Sequence, residues 1–167
     1  MSTVDGVNAL PEEEVRRLLR GCLDVPRWVD VVLAGRPYSS REDLLAAADA
    51  AARTLDAAEV DAALAGHPRI GERAGTGHNV EASEREQSGI SGGADVANLL
   101  AEANADYERR FDRVFLIRAA GRSAEDVLGE LRRRMGNDDA TERAEVADNL
   151  RQIALLRLEQ VATRWEP

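Results

Sequence analysis

Helix-start signals recur along this chain, each followed by apolar residues at helical spacing, and that repetition constrains the fold more than any other feature. In "SSREDLLAAADAAARTL" Ser39 stands three residues before Glu42, the spacing of a capping box, and in "DAAEVDAALAG" Asp56 stands three before Glu59. "LPEEEVRRLLRGCL" begins with Pro11 in a tolerated early position and three glutamates in the favourable first turn. "VPRWVDVVLAGRPY" reads as a shorter helix stopped by Gly35 and Pro37. "GGADVANLLAEANADYERRFDRVFLIRAA" predicts a long helical segment; its "VFLI" also fits a short buried strand, and the flanking "NADYERRFDR" favours helix. Another helix starts at Ser123 and stops at Gly136-Asn137, and "DATERAEVADNLRQIALLRLEQVATRW" is the last. Runs of β-branched residues are scarce, while alanine, leucine, glutamate and arginine abound. The pattern predicts an all-α, single-domain helical bundle over residues 1–167, without internal repeat or linker.

Composition narrows the setting. The 167 residues are 44% hydrophobic and 32% charged, the balance of a soluble globular domain, with a formal net charge of -9. Arginines are interspersed with acids and form no basic block, which argues against a general nucleic-acid surface and leaves room for a local anion site. No run approaches the roughly 18 apolar residues of a membrane span. "MSTVDGVNALPEEE" lacks the basic and apolar blocks of a signal peptide. The single cysteine, Cys22, cannot form an intrachain disulfide. A cytoplasmic protein with neither nucleic-acid nor membrane partner is expected.

The candidate chemistry gathers in "LAGHPRIGERAGTGHNVEASEREQSG", which holds both histidines. His67 lies at the end of a predicted helix, and Pro68 disfavours continuation through it. An imidazole beside helix C-terminal carbonyls is a tunable acid or base, and equally a simple cap. His78 has less context. The two histidines stand apart, Cys22 is remote, and no compact ligand pattern implies a metal. "GERAGTG" lacks the Walker lysine and the dinucleotide fingerprint, so it reads as a turn. Ser83 and Glu86 have capping-box spacing, and Gln87 adds an amide; a cap there can also be a pocket wall. Arg118 and Arg122 bracket Gly121, where backbone amides can approach a ligand, with Ser123 able to cap the next helix; a solvated turn is the plainer reading. Tyr107, Phe111, Phe115 and Leu116 fit a core rather than a cofactor box. Val146, Leu150, Ile153, Arg157 and Val161 fall at spacings of four and three, so Arg157 lies on an apolar stripe, either snorkelling or pointing into a pocket.

Together, "RWVDVVLAGRPY", "GHPRIGER", "SEREQSG", "YERRFDRVFLIRAAGRS" and "LRQIALLRLEQV" resemble the 2-oxo-4-hydroxy-4-carboxy-5-ureidoimidazoline (OHCU) decarboxylase family of urate catabolism, over roughly residues 7 to 163. The ordered set is far more specific than the His-Pro pair alone. The resemblance implies an all-helical, usually homodimeric enzyme without cofactor or metal, which decarboxylates its ureidoimidazoline substrate to (S)-allantoin. It implies that His67 is the essential catalytic histidine and that Pro68 contacts substrate, with Glu86 in the polar segment around the ring as a second catalytic residue, orienting or exchanging a proton with the substrate hydroxyl or imidazole. It places Ser83, Glu84, Arg85 and Gln87 around the ring and ureido group. Arg118, Ala119, Ala120, Gly121 and Arg122 form a backbone-rich turn on another side, and Arg157 is the arginine expected in the final helix. Two departures stand out. The family's aromatic-glycine pair before the "VFLI" segment is Phe111-Asp112 here, and the approach to the Ser-x-x-Glu-Gln segment is shortened to "GTGHNVEASEREQ". Two other readings are a noncatalytic helical interaction module and a decarboxylase or hydrolase of another ureido acid.

Overall fold

The first expectation to meet the structure is the string of helix starts. The computed structural model describes residues 3–70 and 94–164, and among these it holds eight helices and no strand. They are α1 (Thr3–Ala9), α2 (Glu12–Cys22), α3 (Pro26–Ala34), α4 (Arg41–Ala52), α5 (Ala57–Leu64), α6 (Ala94–Phe111), α7 (Ala124–Arg134) and α8 (Asp139–Arg164). Most start where the sequence indicates. Pro11 is the N-cap of α2, and Gly35 is the C-cap of α3. Asp56 and Glu59 form a reciprocal box, Glu59 N–H donating to Asp56 Oδ1 at 2.8 Å and Asp56 N–H to Glu59 Oε1 at 3.1 Å.

Three details differ. The cap of α4 is Ser40, whose Oγ accepts the Asp43 N–H at 3.1 Å; the pair is one residue later than Ser39 and Glu42. An N-terminal helix, α1, is present that the sequence does not announce. The long helical segment also ends early, at Phe111, because Asp112 takes φ 54° and its N–H closes on the Glu108 carbonyl at 2.9 Å. A left-handed residue there ends the helix, in a conformation that glycine takes without strain. "VFLI" is then neither helix nor strand but an irregular buried segment.

The chain divides into two compact units, Met1–Ala63 with Arg151–Pro167, and Leu64–Leu150. In the first, α2 packs on α3 and α3 on α4. Trp28 is fully buried, and its indole N–H donates to the Ala48 carbonyl at 3.0 Å, satisfying the polar edge of a core aromatic. Tyr38 donates to the Val32 carbonyl at 2.6 Å, and its ring fills the space a side chain on Gly35 would need.

The second unit is built on Tyr107, Phe111 and Phe115. Ring centroids lie 4.8 Å apart for Tyr107 and Phe111 and 5.1 Å for Tyr107 and Phe115, the latter edge-on. Ile70, Leu100, Ile117, Ala119, Val127 and Leu131 complete this core. The expected core role of Tyr107, Phe111, Phe115 and Leu116 is what the structure shows. Beneath the aromatics sits a charged network with no solvent access to speak of: Glu142 and Arg134 are 0% and 1% exposed. Arg134 Nε and Nη2 donate to Glu142 at 2.9 and 2.5 Å, and Tyr107 Oη donates to Glu142 Oε1 at 2.5 Å. Burial and the adjacent Glu142 carboxylate push the Tyr107 hydroxyl well above its ordinary pKa, so it remains a donor.

Candidate active site

His67 lies just beyond the end of α5, where its backbone N–H closes on the Leu64 carbonyl at 3.0 Å. The turn is thus capped by the backbone of this residue. Both nitrogens of the imidazole are buried. Pro68 comes next, half-buried like His67. Beyond it, α6 holds the chain in place. Arg69 pairs with Glu108, Nη2 to Oε2 at 3.0 Å, and Asn104 Nδ2 donates to the Ile70 carbonyl at 3.1 Å. Asn104 and Glu108 are one helical turn apart, so a single face of α6 fixes both residues after His67-Pro68.

Ile70 shares its core with Ile117 and Ala119, which brings the segment after His67 and the segment before Gly121 into one packed cluster. The latter segment is pinned by hydrogen bonds that alternate along the chain. The Leu116 carbonyl accepts Arg134 Nη1 at 2.7 Å, the Arg118 N–H donates to Asn149 Oδ1 at 3.0 Å, and the Arg118 carbonyl accepts Arg122 Nε at 3.1 Å. In extended chain, the polar groups of alternate residues point to opposite sides. The bonds therefore use up the side of residues 116 and 118. Among the described residues no hydrogen bond takes the Ile117 N–H, the Ile117 carbonyl or the Ala119 N–H. Ile117 and Ala119 are only 6% and 4% exposed, so this donor–acceptor–donor row is an open polar edge in a buried setting. Gly121, at φ 77°, closes the turn, with the Arg122 N–H on the Ala119 carbonyl at 3.0 Å.

The sequence places the ligand-facing backbone at Arg118, Ala119, Ala120, Gly121 and Arg122. The open edge begins one residue earlier and is centred on Ile117 and Ala119. Arg118 contributes differently: it is half-buried, and its Nε is buried without a hydrogen-bond partner. The expected Ser123 cap is present, its Oγ accepting the Asp126 N–H and Asp126 returning the bond to Ser123 N–H, each at 3.1 Å.

Arg157 belongs to the other unit. It is 5% exposed, on a stripe where Val146, Leu150 and Ile153 are buried and Val161 is half-buried, and its Nη1 reaches the Gly21 carbonyl at 3.4 Å. An arginine this deep is held by the core and not simply snorkelling. His78, Ser83, Glu84, Arg85, Glu86 and Gln87 lie outside the described residues. Among the described residues no group of three or more His, Cys, Asp or Glu converges as a metal site. The residues that brace this site, Asn104, Arg134, Glu142 and Asn149, carry no signal in the sequence. Nothing in "LRRRMG" distinguishes Arg134 from Arg132 and Arg133 except its place on the buried face of α7.

The family model for OHCU decarboxylase matches residues 8–159. The chain belongs to the OHCU decarboxylase family. The match runs through both compact units and carries His67, the Ile117–Ala119 edge and Arg157 alike. Among curated relatives, a 2-oxo-4-hydroxy-4-carboxy-5-ureidoimidazoline decarboxylase of Amia calva is 28% identical over 161 residues, covering 93% of this chain and 91% of its own. A uric acid degradation bifunctional protein of Bacillus sp. (strain TB-90) is 23% identical over 99% of this chain, which spans 33% of it. An OHCU decarboxylase crystallised in the presence of (S)-allantoin superposes with a TM-score of 0.73 at 21% identity, over 92% of this chain and 99% of that one. A crystal structure of (S)-allantoin synthase gives 0.71 at 16% identity, over 96% of this chain and 54% of that one. The two structures establish the OHCU decarboxylase helical fold for this chain.

Proposed function

We propose that this protein decarboxylates 2-oxo-4-hydroxy-4-carboxy-5-ureidoimidazoline to (S)-allantoin in urate catabolism, with His67 as the principal acid/base group. The observation that carries the reading is the cluster that packs the chain after His67 against the open Ile117–Ala119 edge, within a chain that is matched by the family over nearly its whole length. A planar ureide or imidazoline presents alternating N–H and C=O groups, the complement of a donor–acceptor–donor row. Such an edge holds the ring in a fixed plane, which is what a stereoselective reaction needs.

The bond from the ring carbon to its carboxylate breaks and CO2 leaves. The electron pair flows into the adjacent C=N of the ring, whose nitrogen takes up a proton, giving an enol-like intermediate. The hydroxyl-bearing carbon then becomes the carbonyl as its hydroxyl proton leaves and a proton adds to the neighbouring carbon that bears the ureido group. Hydrogen bonds already aimed at the developing charge lower the barrier. His67 supplies or relays the proton, Glu86 exchanges one with the substrate hydroxyl or imidazole, and Arg157 pairs with a carboxylate or carbonyl through its planar fork. Pro68, with Ser83, Glu84, Arg85 and Gln87, completes the walls. Protonation from one face alone gives the (S) hand. The protein works as a cytoplasmic homodimer, without metal or organic cofactor.

The test is a direct one. Purified protein, dialysed exhaustively against a chelator, is given freshly generated substrate, and CO2 release and the handedness of allantoin are monitored. Acceleration with an excess of (S)-allantoin is expected. His67→Asn should lower turnover by roughly 10²–10⁴-fold with helicity unchanged. No acceleration over the spontaneous reaction rejects the assignment, and activity restored only by metal rejects the cofactor-free mechanism.

A further inference from the structure

We propose that Asn149 and Arg134 are positioning residues, which set the register of the Ile117–Ala119 edge by gripping the opposite side of the same segment. The proposal rests on the decarboxylase reading above, since it is the substrate ring that the edge would meet. Neither side chain needs to touch substrate.

The geometry is that of a clamp. Between Asp112 and Gly121 the chain has no helix or sheet partner of its own to fix its register. Two helices behind it supply that restraint. From α7, Arg134 Nη1 reaches the Leu116 carbonyl at 2.7 Å. From α8, Asn149 Oδ1 accepts the Arg118 N–H at 3.0 Å. The two bonds lie on alternate residues and flank Ile117, so they hold both ends of the peptide pair that presents its groups the other way.

Each clamp side chain is itself immobilised. Asn149 Nδ2 donates to the Glu145 carbonyl at 2.9 Å, one turn back along α8, which sets the amide so that its oxygen faces Arg118. Arg134 is locked by Glu142, which also takes the Tyr107 hydroxyl at 2.5 Å and Asn137 Nδ2 at 3.1 Å, and its guanidinium lies 4.5 Å from the Phe115 ring centroid. A side chain fixed by several bonds transmits position, whereas a mobile one would not. The arrangement also explains why a costly buried ion pair is kept beneath the aromatic core. An apolar pair would fill the volume but leave nothing to hold the Leu116 carbonyl.

Asn149 offers the clean test, because it is half-buried and its replacement leaves no charge behind. Asn149→Leu removes the acceptor, Asn149→Ala removes it with less bulk, and Asn149→Asp keeps an oxygen in place. In Asn149→Leu and Asn149→Ala, amide hydrogen exchange at Arg118 should quicken at least tenfold while the α6 core amides stay protected. The value of kcat/KM should fall by roughly tenfold to a hundredfold, the effect of a sub-ångström to ångström misplacement, and the (S) excess should shrink. Asn149→Asp keeps an acceptor for the Arg118 N–H but loses the donor to the Glu145 carbonyl, so it should recover part of both. Arg134→Lys, which keeps the charge beside Glu142 but cannot span to Leu116 in the same geometry, should also lose product handedness. If the Asn149 variants fold and retain wild-type kcat/KM and handedness, or if Asn149→Asp is as impaired as Asn149→Leu, the clamp is overturned while the activity stands. A wild-type protein that does not accelerate the reaction overturns the activity reading, and the clamp's catalytic meaning with it.

Discussion

Removing Glu142 tests the energetic logic of the second unit. In Glu142→Ala the Arg134 guanidinium would keep its bond to the Leu116 carbonyl but lose the carboxylate that neutralises it, in a position 1% exposed. Breaking one member of a buried pair in this way costs about 3–5 kcal/mol. The Tyr107 hydroxyl, in a fully buried residue, would lose its acceptor as well, adding about 1–3 kcal/mol. The two penalties share a network and do not add in full, so a loss of about 4–6 kcal/mol is expected, a large part of the roughly 5–15 kcal/mol that a domain possesses. Urea unfolding monitored by circular dichroism measures it. The control is Tyr107→Phe/Arg134→Met/Glu142→Leu, in which charge and hydroxyl go together. That variant should recover much of the stability, because no unpaired charge is left in the core and only the Leu116 carbonyl loses its partner. A loss below about 1.5 kcal/mol in Glu142→Ala, or a triple variant as unstable as the single one, refutes the reasoning.

Three further outcomes are expected. Arg157→Lys should fold and keep its charge yet turn over more slowly, and Arg157→Met should be worse, with substrate kinetics read beside thermal unfolding; near-normal activity and handedness in both would assign Arg157 to the core alone. Asp112→Gly should raise stability by about 1 kcal/mol, or roughly 2–4 °C in Tm, since the exposed aspartate sits at φ 54° and glycine takes that conformation without strain; an unchanged or lower Tm would contradict this. Asp49 is held below its ordinary 3.8 by Arg53 and Arg151, and Glu130 below its ordinary 4.5 by Arg133. Depressed carboxylates stabilise the fold above the unfolded values and lose that contribution as pH falls through the folded ones. Tm should therefore be flat from about pH 7 to 5 and fall below about pH 4.5, less steeply in high salt, and a Tm that holds or rises toward about pH 3 would count against these pairs.

The helices were legible because capping and periodicity are local. Asp56 with Glu59, and Ser123 with Asp126, can be read within four residues of chain. The end of α6 was harder, since "DRVFLI" continues an apolar pattern, and only the left-handed turn at Asp112 shows where the helix stops. Of the candidate site, the local signals were legible and the bracing was not. His67 announces itself by a proline and a helix end, and Arg157 by an apolar stripe that predicts its burial. Arg134 and Asn149 matter through what they touch across 18 and 31 residues of sequence, and no short pattern encodes such a distance. The one-residue displacement of the open edge, from Arg118 to Ile117, has the same origin. Which side of an extended chain is free depends on which partners have taken the other.

The capped start of α7 carries a consequence for how a substrate is recognised. A bare helix N-terminus attracts anions, but here Ser123 has already taken one amide, and Asp126 sets a carboxylate at the same end. The Ser123 backbone N–H and hydroxyl hold that carboxylate below its usual titration range, so it carries its charge throughout neutral pH. Arg122 opposes that charge, so the Gly121 turn offers backbone groups beside an already balanced helix end. A ligand's carboxylate therefore gains little from this helix end itself and depends on arginine side chains for its charge partner. In the proposed reaction, recognition of the substrate's charge would thus fall to side chains and recognition of its ring to the backbone.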